Sequence, residues 1–119
     1  MLTESYTAAL FGIDSKYYTN EFVRYLWEQS ANKEYQNSGI FVSALVDVNS
    51  VVCGEIRGCN LGETAHWIRV SRNPAEYTDE EKFKTSFLNV LYEVRQKLDN
   101  PYMTLGTMNI DITFFEQPW

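Results

Sequence analysis

The chain has 119 residues, room for one domain and not two. Its 45% hydrophobic and 22% charged residues exclude a disordered chain. Sixteen acids against ten bases give a net charge of −6, which argues against a nucleic-acid backbone or an anionic membrane as partner, since both call for an excess of Lys and Arg.

Residues 2–11 read as a short helix, with Leu2, Tyr6, Ala9 and Leu10 on one side and Gly12 as its stop. Thr19 is placed to cap a helix reaching residue 35, in which Phe22, Val23, Leu26, Trp27 and Ala31 share one face. Glu21 complements the helix dipole in the first turn, and Asn37-Ser38-Gly39 ends the helix. Residues 40–48 (IFVSALVDV) and 51–57 (VVCGEIR) are rich in β-branched and aromatic side chains and predict a hairpin with Asn49-Ser50 as its turn. That register sets Val46 opposite Cys53 and Leu45 opposite Gly54, which makes Cys53 a packing residue.

Residues 58–63 then form a loop, and 64–70 a third strand with His66, Ile68 and Val70 on one face and Trp67 and Arg69 on the other. Pro74 bars further pairing. Thr78 and Glu81 match a capping box, followed by Phe83, Phe87, Val90, Leu91, Val94 and Leu98 at helical spacing, with Asn100-Pro101 as the stop. In the last strand Met108, Ile110, Ile112 and Phe114 alternate with Thr107, Asn109, Asp111 and Thr113, predicting one buried face and one wet face.

The predicted fold class is α+β: a single domain over residues 1–119, with an antiparallel sheet of about four strands in the order α-β-β-β-α-β and helices packed on one face. This element order resembles that of the tail-terminator and tail-completion proteins of long-tailed bacteriophages. The resemblance implies a ring-forming structural subunit.

Candidate chemistry concentrates in VVCGEIRGCNLGETAHWIRV, which holds both cysteines, the single histidine and three of the six glycines. Cys53, Cys59 and His66 lack the close cysteine pairs of a structural zinc site. A Cys53–Cys59 disulfide fails if both lie on one straight strand, where six residues separate them by roughly 20 Å. The glycines lack the Gly-Lys-Ser/Thr and following helix of a phosphate loop. Cys59 and His66, with Glu63, are the pair from which a small thiol enzyme would be built. Arg57, Arg69 and Arg72 lie near Trp67 in the predicted sheet, a combination suited to a protein interface and, on a less acidic chain, to stacking a nucleic-acid base.

The expectation is therefore a non-enzymatic protein–protein interaction module, a small acidic inhibitor or adaptor without cofactor or metal. Its partner would be another protein or a second copy of the chain, met through Arg57, Trp67, Arg69, Arg72 and Trp119. The alternatives are the ring subunit and the small enzyme. No run approaches the roughly 18 apolar residues that span a bilayer, and the N-terminal residues lack the basic start of a secretory signal. A cytoplasmic location with two free thiols is the default.

Overall fold

The N-terminal segment is a strand, not a helix. In the computed structural model, which describes residues 1–14 and 16–118, Leu2–Phe11 forms β1. Its side chains alternate, with Tyr6, Ala8 and Leu10 in the core and Ser5, Thr7 and Ala9 on the opposite face. Leu2, Tyr6 and Leu10 fit a helical stripe and a period of two equally well. Pairing on both sides decides between them, because β1 is hydrogen-bonded to two other strands.

Helix α1 spans Asn20–Ser38. The Thr19 side chain accepts a bond from the Phe22 amide at 3.2 Å. At the other end Gly39 takes a left-handed φ of 79° and its amide donates to the Tyr35 carbonyl. Strand β2 is Leu45–Ser50 and β3 is Thr64–Ser71. The two pair with each other, Val46 facing Ile68 and Val48 facing His66.

The predicted hairpin over residues 40–58 is thus corrected. After Ser50 the chain leaves the sheet, and Gly54 and Gly58 take φ of 79° and 76°, values that a strand does not use. The resulting bend joins Cys53 to Cys59 in a disulfide with Cα atoms 5.1 Å apart. The free-thiol expectation falls with the straight strand on which it rested.

Helix α2, Glu80–Lys97, carries the predicted apolar stripe on its buried face. Its cap is Asp79, whose carboxylate accepts from the Lys82 amide at 3.1 Å, one residue after the predicted Thr78. Strand β4 is Tyr102–Asp111.

The chain order is β-α-β-β-α-β. The architecture is α+β, an antiparallel four-stranded sheet with spatial order β2-β3-β1-β4. Both helices cover one face. Tyr6, Ala8, Leu10, Ile68 and Val70 of the sheet meet Val23, Leu26, Trp27 and Ala31 of α1 and Phe83, Phe87, Val90, Leu91 and Val94 of α2. Burying each large side chain there contributes about 1.5–3 kcal/mol before entropy is counted. Tyr6 stacks on Phe87 with ring centroids 4.6 Å apart, and the Trp27 indole donates to the Val42 carbonyl at 2.9 Å. Among the described residues no helix is long and apolar enough to cross a membrane.

The last strand departs from its predicted burial. Met108 is 65% exposed and Phe114 57% exposed. The period of two is real, but β4 is an edge strand. Register puts Met108 opposite Ser5 and Ile110 opposite Thr3, on the sheet face that no helix covers.

Candidate functional site

The uncovered face of the sheet holds the site. Side chains directly opposite one another in antiparallel strands share a face, so register alone locates its members. Trp67 of β3 stands beside Ala9 of β1, and Ala9 beside Thr104 of β4. One step along, Arg69 stands beside Thr7, and Thr7 beside Gly106. On the other flank Asp47 of β2 faces Trp67.

Small residues on β1 and β4 leave a groove of about 840 Å³ next to the indole, lined by Thr7, Ala9, Asp47, Trp67, Arg69, Thr104 and Gly106 among others. That size suits a small ligand. Gly106 is part of its shape. Its φ is not left-handed, and an added Cβ would meet only the Thr7 carbonyl oxygen at 4.0 Å. The backbone there accepts any residue, so glycine keeps the groove open rather than enabling a turn.

The chemistry of the lining is specific. Trp67 is 39% exposed and offers a π face to a flat heteroaromatic ring or to a cation. Asp47 is exposed, and its carboxylate accepts a bond from the Asn49 side-chain Nδ2 at 3.4 Å. Arg69 is exposed and, among the described residues, has no ion-pair partner. Asp47 and Arg69 are the titratable residues of the lining. A ligand with a planar ring and charges of both signs matches this arrangement.

Of the residues singled out in the sequence, Trp67 and Arg69 come together here. Arg57 does not: it lies exposed in the turn of the disulfide loop. Arg72 is withdrawn from any surface, being 6% exposed. Its Nε and Nη2 donate to the Glu4 carboxylate at 2.7 and 2.9 Å, and its Nη1 donates to the Tyr77 carbonyl at 2.8 Å. The hydrogen bond from Arg72 holds the Glu4 carboxyl below its ordinary pKa. Trp119 lies outside the described residues.

The thiol pair is not assembled. Cys59 is bonded to Cys53, and His66 is fully buried on the helix side of β3. Burial lowers the pKa of that imidazole. Among the described residues no group of three His, Cys, Asp or Glu is placed to hold a metal ion. Sequence reasoning missed Asp47, Thr7, Ala9, Thr104 and Gly106. For the β1 residues the signal is the alternation of Thr3, Ser5, Thr7 and Ala9 with Glu4, Tyr6, Ala8 and Leu10, which a helical reading of residues 2–11 hides.

Comparison with known proteins gives the arrangement a family. The model of the SAM lyase family matches residues 1–116. No curated protein sequence matches the chain. Among solved structures, the chain is similar to a phage SAM lyase in complex with S-methyl-5'-thioadenosine at 14% identity and a TM-score of 0.54, covering 96% of this chain and 93% of that one. It is also similar to a phage SAM lyase in the apo state at 13% identity and a TM-score of 0.53, covering 97% and 92%. At such identities these two likenesses speak for the fold. The family match overturns the expected non-enzymatic inhibitor or adaptor and the ring-forming structural subunit, and it makes the chain an enzyme.

Proposed function

The chain belongs to the SAM lyase family, and from that premise we propose that it cleaves S-adenosylmethionine and releases S-methyl-5'-thioadenosine from the uncovered sheet face. The match over residues 1–116 carries this reading. The substrate has a flat purine and a sulfonium cation, which suit the groove, and beyond them an amino-acid end that carries both charges. In this reading the adenosyl part lies along Trp67 over the floor of Ala9, Thr104 and Gly106, and the sulfonium is held by the indole face and the Asp47 carboxylate.

The bond that breaks joins the sulfonium sulfur to the γ carbon of the methionyl chain. Sulfur takes the bonding pair and leaves as a neutral thioether, so the leaving group calls for no general acid. The four-carbon remainder completes its valence either by losing a β proton or by attack of its own carboxylate on the γ carbon. The groove favours the second route: no His, Lys or Cys lines it, and its carboxylate, Asp47, is assigned to the sulfonium in this reading rather than to a β proton. Holding the chain in one geometry then supplies the acceleration. The products would be S-methyl-5'-thioadenosine and a lactone that keeps the ammonium group. The reading retains the cytoplasmic location expected from the sequence.

The test is to incubate the purified chain with S-adenosylmethionine and identify both products by mass. Appearance of S-methyl-5'-thioadenosine with the lactone is the expected result. Trp67→Ala should weaken substrate and product binding by about 1–3 kcal/mol, the worth of one stacked base, while Trp67→Phe retains part of it. Wild-type protein that forms no S-methyl-5'-thioadenosine would sink the reading.

A further inference from the structure

Arg69 divides the uncovered face into two grooves. On one side lies the Trp67 groove; on the other is a smaller one lined by Ser5, Ser43, Ala44, Leu45, Arg69 and Ser71. We infer that this second groove, Arg69 with the hydroxyls of Ser5, Ser43 and Ser71, is the subsite for the α-carboxylate of the substrate's amino-acid end. The inference rests on the S-adenosylmethionine reading and extends it to the part of the substrate that the Trp67 groove does not reach.

Three observations carry it. Register sets Ser71 opposite Ser5, and the Ser71 hydroxyl donates to the Ser5 hydroxyl at 3.2 Å, so two hydroxyls are held side by side next to the guanidinium. Arg69 is unpaired among the described residues although the chain is acidic overall. The contrast with Arg72, whose guanidinium is fully engaged by Glu4 and Tyr77, shows that this sheet pairs its arginines where pairing is structural.

The chemistry fits a carboxylate better than a phosphate. One planar guanidinium matches one carboxylate with two parallel bonds, and a dianion beside a single cation on a chain of net charge −6 would be poorly balanced. The spacing fits as well. Trp67 and Arg69 are two residues apart on one strand face, about 7 Å, the reach of a four-carbon chain running from a sulfonium at the indole towards the guanidinium.

Two uncleaved ligands separate the grooves. S-methyl-5'-thioadenosine lacks the amino-acid chain; S-adenosylhomocysteine keeps it but has a neutral sulfur that does not leave. Titration calorimetry of wild type and Arg69→Met with each should show S-adenosylhomocysteine weakened roughly 10- to 100-fold by the variant and S-methyl-5'-thioadenosine changed less than about twofold. Ser5→Ala with Ser71→Ala should give a smaller loss with the same selectivity. Retained binding of S-methyl-5'-thioadenosine also certifies that the variants are folded. Equal weakening of both ligands, no weakening of either, or a wild type that binds only S-methyl-5'-thioadenosine overturns the subsite and leaves the cleavage reading standing. A wild type that binds neither ligand and makes no S-methyl-5'-thioadenosine overturns both.

Discussion

Both ring nitrogens of His66 are buried without a hydrogen-bond partner among the described residues. The strand faces Leu10 on one side and Val48 on the other, so the imidazole has apolar neighbours across both ladders. Burial lowers its pKa from the ordinary 6.5, which means the unfolded chain takes up a proton first as pH falls. The stability tied to the neutral ring is whole above about pH 6.5 and declines as pH drops through that value towards the folded pKa. Thermal melts taken from about pH 7.5 down to about pH 5 should show this loss in wild type. His66→Leu should flatten it and raise stability near neutrality by about 1 kcal/mol, because no polar atom is left unpaired. An equal decline in the variant would place the titration elsewhere. The Glu4 carboxyl acts in a separate window. Its folded pKa lies below 4.5, so the stability it lends with Arg72 is present above that value and is lost as pH falls through the folded pKa.

Strand β4 supplies the groove with a gap. Gly106 has no conformational reason to be glycine, and its missing side chain opens space over Thr7. Gly106→Val should therefore fold as well as wild type, since β-branched residues suit strands and glycine weakens them by roughly 0.5–1 kcal/mol. The same change should lower the rate of S-methyl-5'-thioadenosine formation at least about tenfold, by filling the space beside Thr7 in the groove that Trp67 lines. A melt and a product assay on the same sample check both halves; an active, stable variant would show that the ligand does not cross β4. The helices carry a smaller lesson. Thr78 with Glu81 matches a capping box, and Asp79 is an equally good cap residue one position later. Either start buries the same stripe, so the choice lies in the local geometry of the turn rather than in the residue pattern.

Net charge acts over the whole molecule. S-adenosylmethionine carries a net charge of about +1 at neutral pH, whereas S-methyl-5'-thioadenosine is neutral. A chain of net charge −6 attracts the first and is indifferent to the second. Raising ionic strength shortens the screening length to about 8 Å at physiological salt and about 3 Å at 1 M. The KM for the substrate should rise across that range while the affinity for the neutral product stays level; equal effects on both would exclude long-range attraction. The disulfide loop matters at the same scale, because residues 51–63 connect β2 to β3 and bring Val51 to the rim of the Trp67 groove. Gly62 packs that loop against Gly12, the residue that follows β1: a Cβ there would sit 2.8 Å from the Gly12 Cα.

Read alone, the sequence determined α1, α2 and β3. Their stripes, their alternation and the Thr19 cap depend on neighbours within a turn or two, which are visible in one dimension. It also placed Trp67 and Arg69 on a wet face, though it assigned them to a protein partner. Only the tertiary structure decided the rest. Residues 2–11 became a strand because partners about 60 and 100 residues away pair with them. Residues 51–57 left the sheet by bending at Gly54 and Gly58, and β3 from beyond the disulfide loop pairs with β2 instead. Arg72 was lost to the surface through Glu4, 68 positions distant, and the apolar side of β4 was left open because no helix covers it. A groove built from four strands has no signature in any one of them. Its shape arises where small residues, remote in sequence, are brought side by side by register.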